Sequence, residues 1–448
     1  MASDRLTEAL RSARDTREVR IAPGALQQTG EVLRAGFDAP AALFVADENT
    51  FAAAGGVLLD ILRAEGIEAP EPLIFPGQPA LHPDVEHVVE IERWLASCPG
   101  TPVAVGSGTL NDLVKLAAHR LDRPYLVVAT AASMDGYTAF ASAITHAGVK
   151  HIDDCPAPRA LIADLDVLAR APAEMTAAGF GDLVGKGIAG ADWIIADALG
   201  IEPMDRAAWA LIGPHLRHWT GDPAGLAAGR PEAFEALFEG LVMAGLAMQA
   251  AESSRPASGS EHLFSHLWEM QGLVHQGRAP FHGFKVGLGT LAAAALWERL
   301  LALDPQALDP AALAATWPSL EDVEAQVRQD HADPQQAESA VRSSLAKHLS
   351  PEGLVGRIER LRVCWADLRP QLARELEPAA ALRARLHAAG CPVRPEDIGV
   401  PRAALRAAYR KARQIRSRYT ALDLAAETGQ LEPSLEALFA PGGFWAET

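Results

Sequence analysis

The sequence predicts an α/β N-terminal domain with a parallel, Rossmann-like sheet, followed by an all-α helical domain, with the active site in the cleft between them. Three observations carry this expectation. Short, nearly unbroken apolar runs recur through the first 170 residues with amphipathic segments between them. Strand signals stop after about residue 168. From there the chain is rich in Ala, Leu, Arg and Glu, with helical periodicity punctuated by Gly and Pro. Strands that are apolar on both faces belong to a parallel sheet covered by helices on both sides.

The expected strands are 17–21 (REVRI), 41–47 (AALFVAD), 72–75 (PLIF), 102–106 (PVAVG), 125–130 (YLVVAT) and 160–166 (ALIADLD). Helical segments such as 85–97 and 110–122 separate them. The alternation in 137–153 suits an inserted β-hairpin around His146–Gly148. The composition shift divides the chain into 1–168, an α/β dinucleotide-binding domain, and 169–448, a helical metal- and substrate-binding domain. The 448 residues are enough for two cores. The region 304–400 carries no motif tied to chemistry.

Composition narrows the function classes. The chain is 49% hydrophobic and 22% charged, and 40 Lys+Arg against 57 Asp+Glu leave a formal net charge of −17. An acidic body repels phosphate backbones and anionic lipid, so neither nucleic acid nor a membrane is an expected partner. The longest apolar runs, 240–251 and 286–297, fall short of the roughly 20 residues that a bilayer requires. The N-terminus has no apolar secretory core, and Cys98, Cys155, Cys364 and Cys391 are scattered without a C-x-x-C pair. These features lead us to expect a cytoplasmic protein with reduced thiols.

Two loops suggest a nucleotide site. Gly106, Ser107 and Gly108 form a turn between an apolar strand and a helix opened near Thr109. Glycines there let backbone approach a ligand, and free N–H groups at the helix start attract phosphate. The run is not a complete G-x-G-x-x-G, since Leu110 and Asn111 follow. Asp47 ends its strand where an acidic residue can accept hydrogen bonds from a ribose, though it could equally cap the helix starting near Thr50. After the strand 125–130, small and polar residues take over abruptly. That change puts Thr130, Ser133 and Asp135 at the rim of the same crevice.

In the helical half, three segments stand out: GFGDLVGK (179–186), SEHLFSHLWE (260–269) and FHGFKVG (281–287). His262 and His266, four apart, share one helix face, and His282 returns after a loop. Asp182 would add a hard anionic ligand. Imidazoles plus one carboxylate, with an open position, suit catalytic Zn²⁺ or Fe²⁺. An H-x-x-x-H pair is also common in surface and capping chemistry, and spacing alone does not choose.

These segments, together with GSGTLND and TAASMDGYTA, resemble the sn-glycerol-1-phosphate dehydrogenase family. That family belongs to the superfamily of iron-containing alcohol dehydrogenases, glycerol dehydrogenases and 3-dehydroquinate synthases. The resemblance runs from about residue 15 to 300 and resumes at 408–425. It implies that Asp182, His262 and His282 hold one divalent metal, with zinc the first choice and nickel or iron also suited. His266 then supports a ligand or contacts substrate. Gly106, Ser107, Gly108 and Asp112 match the pyrophosphate loop and its flank, Asp47 the ribose position, and Asp135 an acid beside the reacting hydroxyl. Phe284 stands where a Glu or Gln commonly follows H-G, which removes a hydrogen bond supporting the metal site. Ala132 replaces a usual proline.

The implied activity is hydride transfer between NAD or NADP and sn-glycerol 1-phosphate or dihydroxyacetone phosphate. Asp47 leans toward NAD. Lys150 and Lys186 are the preferred contacts for the substrate phosphate, with Lys285 also near. A homodimer or larger assembly is implied. The alternatives are a 3-dehydroquinate-synthase-like cyclase, whose first ligand is a glutamate where this chain has Asp182, and a polyol dehydrogenase acting on an unphosphorylated substrate. A non-catalytic nucleotide-binding protein is the remaining reading, and the intact triad argues against it.

Overall fold

The structure, a computed structural model, describes residues 4–38, 41–146 and 149–446. Six strands form one parallel sheet: β1 (Glu18–Ala22), β2 (Ala42–Asp47), β3 (Leu73–Phe75), β4 (Thr101–Gly106), β5 (Leu126–Ala129) and β8 (Ala160–Asp164). Their order is β1-β8-β5-β4-β2-β3. β6 (Ser142–His146) and β7 (Val149–Asp153) pair antiparallel as the separate hairpin, with Ser142 opposite Asp153. Each expected strand is present; the hairpin's turn residues 147 and 148 lie outside the described residues.

The reason is burial on both faces. Every residue of β4 and β5 is buried, and Phe44, Val103, Val105, Leu126, Val128 and Ile162 pack with Val32, Leu58 and Leu62 from covering helices. An alternating strand could not satisfy two apolar layers. The strand order also fixes where a ligand can bind. From β2 the chain moves outward to β3, then crosses back to β4 and continues through β5 to β8. The order therefore reverses between β2 and β4, the place where open parallel sheets leave a crevice at their C-terminal ends.

Two compact units are present. The first comprises Met1–Leu183 and Ala210–Ser254, and the second Val184–Trp209 and Arg255–Thr448. The strand-to-helix change near residue 168 falls inside the first unit, whose last strand ends at Asp164. That unit also holds the helix Pro231–Ala251, long and apolar enough by composition to cross a membrane, yet packed mostly inside the structure.

The second unit is helical. The helices Ser260–Met270 and His282–Leu301 lie close together because Gly289 has no side chain: a Cβ there would sit 2.2 Å from the Glu261 carbonyl oxygen. The region 304–400 folds into further helices with ordinary start signals. Asp333 caps Pro334–Lys347 and Ser350 caps Pro351–Glu375, each with proline just inside the helix. No disulfide joins the four cysteines, all of which are described.

Charge is buried in this unit too. Glu427 accepts from the Tyr419 hydroxyl at 2.8 Å and pairs with Arg357 at 2.9 Å. Burial nevertheless pushes its carboxyl from 4.5 up to about 7, with Arg357 pulling the other way. A folded state that holds a proton more tightly than the unfolded chain gains stability from it at low pH. That share is complete below about pH 4.5 and is lost as pH rises through about 7. Glu427→Gln should therefore flatten the decline of the unfolding midpoint between pH 5 and 8; an unchanged slope would contradict the assignment.

Candidate active site

The reversal between β2 and β4 brings the first group of expected residues together. Val45 pairs with Ala104 in register, so Asp47 and Gly106 follow at neighbouring strand ends. Ser107 caps the helix Gly108–Arg120 in extended conformation without a side-chain cap hydrogen bond. The Ser107 side chain does not occupy the first-turn N–H groups, and a helix start of this kind favours an anion. Gly106 leaves room for Leu110, whose Cδ1 would lie 2.4 Å from a Cβ; Gly108 faces the Met134 side chain.

Asp47 does what its alternative reading proposed. Its Oδ1 accepts from the Thr50 amide at 2.8 Å while the Thr50 hydroxyl accepts from the Asp47 amide, a reciprocal helix cap. Oδ2 is not used by that cap. Thr130 continues the sheet by donating its amide to Gly106 O at 3.1 Å. Ser133 hydrogen-bonds Tyr137. Asp112 turns sideways: Oδ2 accepts from the Ala143 amide at 3.3 Å, and Oδ1 meets Lys115 at 3.4 Å.

Sequence reasoning missed Lys115, which is 1% exposed. Its ammonium donates to the carbonyls of Gly136, Ala139 and Ala141, and so holds the loop that follows β5. Buried Asn111 adds a bond to Gly136 O and accepts from the Tyr125 hydroxyl. A lysine one helical turn beyond Asn111 was the available signal.

Asp182 sits near the end of the helix Ala173–Val184, fully buried. Its Oδ2 accepts from the Asp135 amide at 3.1 Å. The helix reaches that loop because Gly179 lacks a Cβ, which would stand 2.0 Å from the Ala132 carbonyl oxygen. With Ala132 itself buried, the contact between helix and loop is backbone against backbone.

His262 is buried on the helix Ser260–Met270, and His282 opens the helix His282–Leu301. The ligand atoms that Asp182, His262 and His282 can each offer all lie within 4.8 Å of one another. The His266 ring stands 5.8 Å from His262 and 6.0 Å from His282, beside the set but outside it. Two imidazoles, one carboxylate and no thiolate are a donor set suited to Zn²⁺, Fe²⁺ or Ni²⁺.

Both histidines have a carboxylate on Nδ1: Glu261 Oε1 is 2.8 Å from His262, and Glu269 Oε1 is 2.7 Å from His282. Neither glutamate was singled out from the sequence. Burial pushes Glu261 up to about 7, with the Gly259 amide and Lys186 opposing. Lys186 is fully buried, and Lys285 is 3.0 Å from Glu269. The side chain of Lys150 lies outside the described residues.

Residues 20–172 match the family described as iron-containing alcohol dehydrogenase. Glycerol dehydrogenase from Schizosaccharomyces pombe shares the fold, with TM-score 0.58, 17% identity, and 95% of this chain and 91% of that one covered. Over those residues the chain is thus similar to the iron-containing alcohol dehydrogenase type. Among curated relatives, an NAD(P)+-linked glycerol-1-phosphate dehydrogenase from Halalkalibacterium halodurans is 38% identical over 57% of this chain and 64% of its own length. The same-named enzyme of Geobacillus thermodenitrificans is 30% identical over 84% of each. The chain belongs to the glycerol-1-phosphate dehydrogenase family, although it spans just under two thirds of the Halalkalibacterium relative.

Gly179→Ala should cost about 1–3 kcal/mol through overpacking against Ala132. It should also displace Asp182. Thermal unfolding beside metal content checks this, and a variant as stable as the parent would refute the close approach.

Proposed function

We propose that this chain is a metal-dependent, NAD(P)-linked oxidoreductase that interconverts sn-glycerol 1-phosphate and dihydroxyacetone phosphate. The observation that carries the reading is the closure of Asp182, His262 and His282 to within 4.8 Å, with a carboxylate behind each imidazole. Asp182, His262 and His282 would hold a divalent ion, which would supply Lewis acidity toward the substrate oxygen, and NAD(P) would serve as the hydride carrier.

The chain's own groups do the rest. The turn Gly106-Ser107-Gly108 offers amides to the pyrophosphate, and Asp47 offers Oδ2 to a ribose while Oδ1 keeps the helix cap. Asp112 and Lys115 hold the loop 136–143, whose neighbours Thr130 and Ser133 border the nicotinamide side. Asp135, with its amide on Asp182, and His266, beside both histidines, are the two groups proposed to exchange the substrate hydroxyl proton. Lys150 and Lys186 are the cations proposed for the substrate phosphate. The working form proposed is a cytoplasmic homodimer or larger oligomer.

Dihydroxyacetone phosphate should oxidise NADH or NADPH far faster than dihydroxyacetone does. Equal rates would favour the polyol dehydrogenase reading, and no oxidation with either ketone would contradict the proposal. His282→Ala should lower turnover by several orders of magnitude while leaving NADH binding within a few-fold, as followed by fluorescence; unchanged turnover would remove His282 from the site.

A further inference from the structure

Phe284 stands two residues after His282, on the opening turn of the same helix. Phe284 is 8% exposed and packs edge-on against Phe281 at 5.6 Å, so it gives the histidine no acceptor. The acceptor comes instead from the preceding helix. Glu269 lies seven residues beyond His262, two helical turns along the Ser260–Met270 helix and on the same face. From there its Oε1 reaches His282 Nδ1 at 2.7 Å and Lys285 Nζ at 3.0 Å. The Ser265 hydroxyl adds a longer contact at 3.5 Å.

We propose that Glu269 is the positioning residue for His282, as Glu261 is for His262. This rests on the reading of both histidines as metal ligands. The chemistry follows from the inventory of donors. An ammonium only donates, so the oxygen facing Lys285 accepts from it, and the same oxygen takes the hydrogen on His282 Nδ1. A neutral imidazole with hydrogen on Nδ1 has its lone pair on Nε2. Glu269 therefore fixes both the tautomer and the ring plane of His282, and Nε2 is the atom left to bind a metal. Glu261 does the same for His262 through an oxygen that also accepts from the Gly259 amide at 2.8 Å.

Lys285 sits three residues after His282 on the first turn of the same helix. One carboxylate thus holds the ligand and a cation from that turn, and loss of the Glu269 carboxylate would cost both contacts.

Two measurements test this without turnover. In the metal-free protein, imidazole ¹⁵N spectra should show His282 in the Nδ1–H form; in Glu269→Ala it should become a mixture of tautomers. Zn²⁺ affinity, read by competition with a chromogenic chelator, should fall about 10- to 100-fold in Glu269→Ala. It should fall less in Glu269→Gln, whose amide oxygen still accepts from Nδ1–H and which keeps the test open if the alanine variant folds poorly. Parent-like affinity and tautomer in the Glu269 variants, with Zn²⁺ lost in His282→Ala, would overturn the positioning role alone. Parent-like affinity in His282→Ala would overturn the ligand reading beneath it.

Discussion

The second unit depends on how the start of the helix Ser260–Met270 is satisfied in the dark of the core. A buried helix N-terminus exposes amides that must find acceptors, and an unmet one costs about 1–3 kcal/mol. Here two carboxylates meet them. Asp192 Oδ2 accepts from the Ser260 amide at 2.6 Å, and Glu261 Oε1 from the Gly259 amide. Asp192 Oδ1 also binds Trp297 Nε1 and the Ala421 amide, which ties the His282 helix and the C-terminal helices to the same point. Two acids this deep resist ionisation: burial, then the neighbouring Glu261 charge, pushes Asp192 up to about 6. The cluster that caps the helix thereby holds His262 at a fixed height and angle.

The first unit obeys a different constraint. A parallel sheet buried on both faces has only its strand ends for chemistry, and strand order decides which ends are accessible. The reversal between β2 and β4 puts Asp47 beside the Gly106–Gly108 turn, with the loop after β5 adjoining. That loop lies outside the regular strand ladder. Lys115, Asn111 and Asp112 supply donors and acceptors from one helix, and Gly179 lets the Asp182 helix close on its other side. Ala132 meets that helix through its backbone carbonyl, where a Cβ at Gly179 would collide.

Much of this was legible because it follows from pattern. Apolar runs located all six strands of the sheet. Asp182, His262 and His282 could be named because their motifs appear in order along the chain, whereas spacing alone favoured His266 equally with His282. The supporting carboxylates were not legible in the same way. Glu261 immediately precedes a ligand, and Glu269 falls on its helix face, but nothing local says that a carboxylate will turn back to an imidazole thirteen residues away. That depends on how two helices pack, which Gly289 decides. Asp47 shows the opposite limit: one side chain serves the cap its sequence allows and keeps an oxygen for the ligand its position suggests.

The central claim is that three particular side chains, and not the H-x-x-x-H pair, hold one metal ion. Metal analysis of the purified parent, Asp182→Ala and His266→Ala proteins tests it most directly. The account predicts close to one divalent ion per chain in the parent and in His266→Ala, and almost none in Asp182→Ala. Metal retained without Asp182, or lost with His266 alone, would contradict it.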